Sequence, residues 1–91
     1  MGIMKLLVFY RKDSDHSSDV EEFIYNMRET RGVQNIEVRN VDSVDSQMTL
    51  GAHGIMQYPC LMVQREGGQT TKIWQGKMLP TLDEVSGYLS A

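Results

Sequence analysis

The chain has 91 residues, of which 41% are hydrophobic and 23% charged, and its formal net charge is −3. This length accommodates one domain, residues 1–91, with a single modest core. Its scattered basic residues are outnumbered by acidic ones, which excludes an electrostatic nucleic-acid footprint. No apolar run approaches the ~20 residues that cross a bilayer. The single cysteine, Cys60, excludes an intrachain disulfide and a cysteine-rich metal site.

A strand and an amphipathic helix are expected first. Residues 4–10, MKLLVFY, form a continuous apolar run, which is typical of a strand buried on both faces of a sheet. Ser18 and Glu21 have the spacing of a capping box, which predicts that a helix begins there. Gly32 can adopt the left-handed conformation that ends this helix. Its apolar stripe has the spacing i, i+3, i+4, i+7 and consists of Val20, Phe23, Ile24 and Met27.

A second strand and a short helix follow. Residues 35–41, NIEVRNV, alternate in polarity as a half-buried strand does. Residues 42–54 begin with several polar capping residues, and Val44 and Met48 then supply the apolar positions. This pattern predicts a short helix that ends near Gly54.

The last third of the chain predicts a hairpin and a closing helix. Residues 60–66, CLMVQRE, form a near-continuous apolar strand, and residues 70–74, TTKIW, return as an antiparallel strand. Gly67–Gly68 between them is a strong hairpin signal. Thr81 and Glu84 form a second capping box. The apolar side of the last helix is then formed by Leu82, Val85 and Leu89.

The predicted order is therefore β-α-β-α-β-β-α. Two strands joined by a helix form a right-handed parallel unit, and the hairpin adds an antiparallel edge. The helices cover both faces. We therefore expect an α/β domain with a four-stranded mixed sheet and three helices.

The segment GIMQYPCLMV narrows the fold further. Pro59 has no backbone N–H, so it fits only at the start or the edge of a strand. Gly54, Ile55 and Tyr58 precede it, and Gly76 follows the fourth strand. With this element order, the whole chain resembles the thioredoxin and glutaredoxin superfamily, and especially the short redoxins that lack an extra N-terminal strand. The resemblance implies a cis-proline at Pro59 that faces the active site.

The family's catalytic cysteines are absent. In that family a Cys-x-x-Cys motif opens the first helix, where the helix N-terminus lowers the pKa of the thiol. This chain has Ser14-Asp15-His16-Ser17 at the corresponding place. A serine hydroxyl cannot form a disulfide. Dithiol exchange is therefore excluded, and so is monothiol exchange through the first position.

Several interpretations of this polar helix start remain open. Ser17 or Ser18 can simply cap the helix. Alternatively, Ser14, His16 and Ser17 bind a small anion or carboxylate, although nearby aspartates oppose a strong site. A further alternative is that the Ser14 hydroxyl hydrogen-bonds a glutathione thiolate, as in some glutathione-transferase relatives. A Ser-His-Asp hydrolase is disfavoured because near-adjacent residues cannot easily supply its geometry, and we expect no metal site.

Cys60 and its surroundings also allow two interpretations. The thiol is either a small buried hydrophobe or a modestly activated group that accepts glutathione. In the family, the residue before the cis-proline pairs through its backbone with an extended peptide or with glutathione. The surface around Tyr58 and Pro59, here called the Tyr58–Pro59 groove, would have Met56 and Tyr10 at its rim.

Two functions are therefore carried forward. The first is a non-redox module that binds a protein or an extended peptide through the Tyr58–Pro59 groove and the Ser14–Ser17 helix start, with no cofactor. The second is a glutathione- or thiol-linked redox protein that acts through Cys60. We favour the first. We expect no dithiol–disulfide oxidoreductase activity, no nucleic-acid partner, no membrane association and a cytoplasmic location.

Overall fold

The structure is a computed structural model that describes residues 4–90, so the two ends of the expected 1–91 domain lie outside the described residues. Four strands and three helices follow in the order β1 (Met4–Tyr10), α1 (Ser17–Arg31), β2 (Ile36–Asn40), α2 (Val44–Ala52), β3 (Cys60–Arg65), β4 (Thr70–Gln75) and α3 (Leu82–Ser90). This order confirms the predicted one.

The strands form one sheet in the order β2-β1-β3-β4. β1 pairs with β2 in parallel, and β3 is antiparallel to both β1 and β4. The four-stranded mixed sheet is thereby confirmed. Residues 6–9 of β1 are all buried because this strand has a neighbour on each side and helices over both faces. This placement explains its continuous apolar sequence.

Two apolar clusters fill the space above and below the sheet. Helices α1 and α3 pack together over one face of the sheet, and α2 covers the other face. The first cluster consists of Leu6, Val8, Val20, Phe23, Ile24, Met27, Leu61, Val63 and Val85. The second consists of Leu7, Phe9, Val41, Leu50, Ile55, Cys60 and Met62.

Helix α1 begins differently from the prediction. Its first residue is Ser17 and its N-cap is His16, which makes no side-chain capping hydrogen bond. The predicted capping box of Ser18 and Glu21 is therefore wrong. The Glu21 carboxylate instead accepts a hydrogen bond of 2.7 Å from the Tyr10 hydroxyl on β1. The other end matches the expectation, since Gly32 has the left-handed φ of 66° that ends the helix.

Helix α2 also buries a different side from the predicted one. Val44 and Met48 are exposed, whereas Ser46 and Leu50 are buried. The Ser43 hydroxyl caps the helix by accepting a 3.2 Å hydrogen bond from the Ser46 backbone N–H, and the two serine hydroxyls lie 2.8 Å apart. Because Ser46 is satisfied in this way, it can face the sheet one turn before Leu50.

Helix α3 begins with half of the predicted capping box. The Thr81 hydroxyl accepts a hydrogen bond of 3.1 Å from the backbone N–H of Glu84. The Glu84 carboxylate accepts from the Trp74 indole at 2.9 Å instead of returning to the cap. Trp74 also packs edge-on against Tyr88, so β4 and α3 are joined by an aromatic pair. Within residues 4–90, no helix is long and apolar enough to cross a membrane.

Candidate functional site

The sheet pairing brings the predicted site residues to one end of the sheet. Phe9 at the end of β1 pairs with Cys60 at the start of β3, and Cys60 also pairs with Gln75 at the end of β4. The turn before α1 follows β1 directly, and Pro59 directly precedes β3. We call this region the Pro59 end of the sheet. It contains all six predicted site residues, from Ser14, His16 and Ser17 to Tyr58, Pro59 and Cys60.

Ser14 and Ser17, the two serines of the helix start, are held by the backbone. The Ser14 hydroxyl donates to the Arg11 carbonyl at 2.5 Å, and the Ser17 hydroxyl donates to the Ser14 carbonyl at 3.0 Å. Asp13, within the same turn, has a left-handed φ of 63°. Each hydroxyl therefore donates its only proton within the turn. Towards a ligand, the two hydroxyl oxygens could act only as hydrogen-bond acceptors.

His16 is buried against the end of β1. Its Nε2 atom accepts a hydrogen bond of 3.3 Å from the Arg11 backbone N–H, and its ring lies edge-on to Tyr10 with the centroids 6.4 Å apart. The Nδ1 atom lies 3.7 Å from a carboxylate oxygen of Asp15. Since a backbone N–H can only donate, Nε2 is the acceptor in this contact. His16 thus fixes the turn before α1.

Two ion pairs frame the Pro59 end. Arg11 forms a bidentate pair with Asp42, with N–O distances of 2.9 and 2.8 Å. Lys77 lies 2.6 Å from Asp15. The hydrogen bond from Arg11 lowers the pKa of Asp42, and the one from Lys77 lowers that of Asp15. Each pair joins segments far apart in the sequence. One joins the residue after β1 to the loop between β2 and α2, and the other joins the turn before α1 to the segment after β4.

The loop before Pro59 is anchored from β4. The Tyr58–Pro59 peptide bond is cis. The Pro59 carbonyl accepts a hydrogen bond of 3.0 Å from Gly76 N–H, and the side-chain oxygen of Gln75 accepts 3.2 Å hydrogen bonds from the backbone N–H groups of Met56 and Gln57. In contrast, neither the N–H nor the C=O of Tyr58 has a hydrogen-bond partner within residues 4–90. A free backbone donor and acceptor therefore remain side by side at this residue.

The rim of the Tyr58–Pro59 groove differs from the expected one. Met56 is 84% exposed in the loop before Pro59, and Met78, three residues beyond β4, is 93% exposed. Tyr10, however, packs against the cluster under α1 and α3, whereas Tyr58 packs against the cluster under α2. The two tyrosines thus lie on opposite faces of the sheet. Met78 follows Gly76, whose N–H donates to the Pro59 carbonyl, so this second exposed methionine is a candidate for the rim in place of Tyr10.

Cys60 lies inside the protein. Its accessible surface is 0%, and it belongs to the apolar cluster under α2 together with Phe9 and Leu50. Burial raises the pKa of its thiol to about 12. A thiol in this environment is protonated at neutral pH and is a poor nucleophile.

Several contributors to the site had no clear signal in the sequence. Gln75, Lys77 and Arg11 hold the loops of the Pro59 end, but each has the appearance of an ordinary polar residue beside a strand. Among the described residues, no group of three or more histidine, cysteine or acidic side chains could hold a metal ion.

Comparison with known proteins shows similarity in structure only. No protein-family model matches the chain, and no curated protein matches its sequence. Solved structures of thioredoxins do superpose on it. Mitochondrial thioredoxin 3 of Saccharomyces cerevisiae gives a TM-score of 0.70 at 10% identity, covering 97% of this chain and 77% of that one. The oxidised thioredoxin of Plasmodium falciparum gives 0.69 at 14% identity, covering 98% and 83%.

A third comparison covers most of both chains. Thioredoxin 1 of Thermosipho africanus gives a TM-score of 0.65 at 13% identity, covering 94% of this chain and 90% of that one. These similarities establish that the chain has a thioredoxin-like fold.

Proposed function

We propose that this protein binds an extended segment of a partner protein at the Tyr58–Pro59 groove, beside the Ser14–Ser17 helix start, without thiol chemistry. The single observation that carries the proposal is that the backbone N–H and C=O of Tyr58, at the Pro59 end of the sheet, have no hydrogen-bond partner within residues 4–90. An extended peptide can supply a matching acceptor and donor, as in recognition by strand addition.

The apolar rim supports the same function. Met56 and Met78 are the two most exposed large hydrophobic residues of the described chain, at 84% and 93%. One stands in the loop before Pro59 and the other just after β4, and Gln75 links those two segments. Methionine side chains are unbranched and adapt to varied apolar partners. The rim can therefore accommodate an apolar side chain of a bound peptide while Tyr58 holds its backbone.

The thiol alternative receives less support from the geometry. Cys60 is fully buried and its pKa is raised to about 12, so it would have to become exposed before it could form a mixed disulfide with glutathione. The helix start offers no substitute nucleophile, because the hydroxyls of Ser14 and Ser17 donate to backbone carbonyls. We propose no cofactor for the binding function. Glutathione remains worth testing as a small ligand with peptide-like groups.

The partner class follows from the charges and the exposed groups. A net charge of −3 without a basic patch disfavours nucleic acid. The free groups at Tyr58 are those of a main chain, which a protein segment complements directly. The lone thiol favours a reducing compartment such as the cytoplasm.

NMR titration of the isotope-labelled protein with a panel of extended peptides, selected from a display library, would test the proposal. We expect chemical-shift changes centred on Tyr58, Cys60 and Lys77 and slower exchange of the Tyr58 amide. The double variant Met56→Lys with Met78→Lys should raise the dissociation constant of a selected peptide by at least about tenfold, because apolar contact area is lost. Tyr25→Lys, at an exposed hydrophobic site on α1, should leave binding unchanged.

A parallel incubation with oxidised glutathione separates the two functions. We expect the mass of the native protein to stay constant over hours, and Cys60→Ala to bind peptides as the wild type does. Rapid formation of an adduct on Cys60 at neutral pH would instead support the thiol-linked function. Peptide-induced shifts that avoid Tyr58, or no binding by any selected peptide, would refute the groove.

A further inference from the structure

The outer edge of β2 presents a second interaction surface, independent of the Tyr58–Pro59 groove. Within residues 4–90, β2 pairs only with β1. At the two ends of their parallel ladder, Leu6 N–H donates to Asn35 at 2.9 Å and Val41 N–H donates to Tyr10 at 3.2 Å. Along such a ladder, successive residues of β2 point their backbone N–H and C=O groups alternately towards β1 and away from it. The backbone groups of Glu37 and Arg39 therefore bond to β1. Val38, between them, directs both its N–H and its C=O outward to the free edge.

The side chains along this edge have a symmetric pattern. Val38 occupies the centre of β2 and is exposed, and Tyr25 of α1 is exposed beside it on the same shallow cleft. Glu37 and Arg39 flank Val38 on the opposite face, where the Arg39 guanidinium lies 6.0 Å from the Phe9 ring centroid. The two side chains pair with each other within the chain. The centre of β2 thus has an acidic residue, Glu37, before the apolar Val38 and a basic residue, Arg39, after it.

We propose that β2 pairs with β2 of a second copy of this chain, antiparallel and with the twofold axis at Val38. In this register Val38 faces Val38 of the other copy, and the two residues exchange N–H···O=C hydrogen bonds. Glu37 then lies opposite Arg39 of the other copy, and Arg39 opposite Glu37. Opposite charges directly across an antiparallel pair stabilise it. The two four-stranded sheets become one continuous sheet.

Charges on an edge strand usually prevent such pairing, but this strand's charges complement themselves. The other edge strand, β4, lacks this property. Its central cation, Lys72, has no carboxylate within Thr70–Gln75 to meet it in a second copy. A twofold pairing about Lys72 would bring two like charges together. Charge complementarity therefore selects β2.

The proposed contact is small, because β2 has five residues and the cleft beside it, which Tyr25, Arg28 and Gln34 help to line, is shallow. Contacts of this size belong to the transient class of interfaces. We expect a monomer at low concentration and a dimer that accumulates as the protein is concentrated. Added salt should weaken the dimer, since its register depends on two pairs of partly exposed charges.

Sedimentation at increasing protein concentration, combined with charge reversal, tests the register. Glu37→Arg places two arginines across the axis on each side, and Arg39→Glu places two glutamates there. Each single variant should raise the dimer dissociation constant by about tenfold or more. The double variant Glu37→Arg with Arg39→Glu restores opposite charges across the axis and should recover the wild-type constant. Glu22→Arg, the same charge change on the exposed side of α1, should have little effect.

A backbone variant tests the hydrogen bonds separately. Val38→Pro removes the outward N–H, which the ladder to β1 does not use, and should abolish dimerisation while far-ultraviolet circular dichroism confirms the fold. In the wild type, the Val38 amide should gain protection from hydrogen exchange as the concentration rises. A wild-type protein that remains monomeric to about millimolar concentration would overturn the proposal. So would a double variant that fails to recover, or a dimer unaffected by Val38→Pro.

Discussion

Lys77 and Asp15 are joined by a salt bridge of 2.6 Å between Nζ and Oδ2, which connects the segment after β4 to the turn before α1. The segment after β4 also contacts Pro59, because Gly76 donates its N–H to the Pro59 carbonyl. Both charged side chains are largely exposed to solvent. Their contact therefore positions the two loops of the Pro59 end more than it stabilises the fold.

The titration of Asp15 provides a direct check of this contact. Because Lys77 holds the pKa of Asp15 below its usual value, the pair favours folding above the range where the unfolded carboxyl titrates. That contribution is lost as the pH falls through the folded-state pKa. Carbon-detected NMR titration should show the Asp15 pKa rising towards its usual value in Lys77→Met. The matched variant Lys12→Met should leave it unchanged, and an equal shift in both variants would contradict the pairing.

The buried thiol predicts a loss of stability at alkaline pH. The unfolded Cys60 thiol loses its proton near its ordinary value of 9.0, whereas the folded thiol keeps it to about 12. The unfolded state is thus favoured as the pH rises above 9.0, by at most about 1.4 kcal/mol per pH unit. Urea unfolding of the wild type and of Cys60→Ala, compared over this range, isolates the effect.

Cys60→Ala itself should cost about 1–2 kcal/mol at neutral pH, because it leaves a small cavity beside Phe9 and Leu50. Its stability should then decline less steeply than that of the wild type as the pH rises. Parallel pH profiles for the two proteins would indicate that the thiol is accessible in the folded state.

Two glycines should respond in opposite directions to replacement by alanine. Gly76 has a φ of 105°, and a Cβ atom there would lie 2.8 Å from the Gln57 side-chain oxygen. Gly76→Ala should therefore destabilise the fold by about 1–3 kcal/mol. Gly87 lies within α3 with open space around it, so Gly87→Ala should stabilise by up to about 1 kcal/mol. Thermal unfolding of both variants measures the difference, and a shared sign would contradict the geometry.

The two capping boxes predicted from the sequence should also differ under mutation. Thr81 accepts a hydrogen bond from the Glu84 N–H, so Thr81→Ala should cost about 1 kcal/mol. Ser18 is exposed and lies inside α1, after its first residue. Ser18→Ala should therefore change the free energy of unfolding by less than about 0.5 kcal/mol. A larger loss for Ser18→Ala than for Thr81→Ala would restore the predicted start of α1.

The sequence predicted the element order and the sheet because the strands and α1 carry strong periodic patterns. The start of α1 was missed for a physical reason. The Tyr10 hydroxyl, on a neighbouring strand, captures the Glu21 carboxylate that a capping box requires. The orientation of α2 was missed because Ser43 satisfies the buried Ser46 hydroxyl, a contact that hydrophobic patterning does not detect.

The candidate site was predictable as a location but not as a set of contacts. The motif around Pro59 placed Tyr58, Pro59 and Cys60 together, since they are adjacent in the chain. The side chains that hold the surrounding loops come from distant parts of the chain. Gln75 and Lys77 follow the hairpin, and Asp42 follows β2. Tyr10 illustrates the limit, because only the strand register shows which face of the sheet it occupies.

The pair of free groups on Tyr58 has a consequence for what such a site can discriminate. A donor and an acceptor on one residue match any non-proline residue of an extended chain, whatever its side chain. Backbone hydrogen bonds from Tyr58 would thus depend little on the sequence of the bound peptide. The methionine side chains at the rim would add only a preference for large apolar side chains. Such a protein would bind several partners weakly rather than one partner tightly. A dimer would bind more tightly if it presented two of these sites to one partner at once.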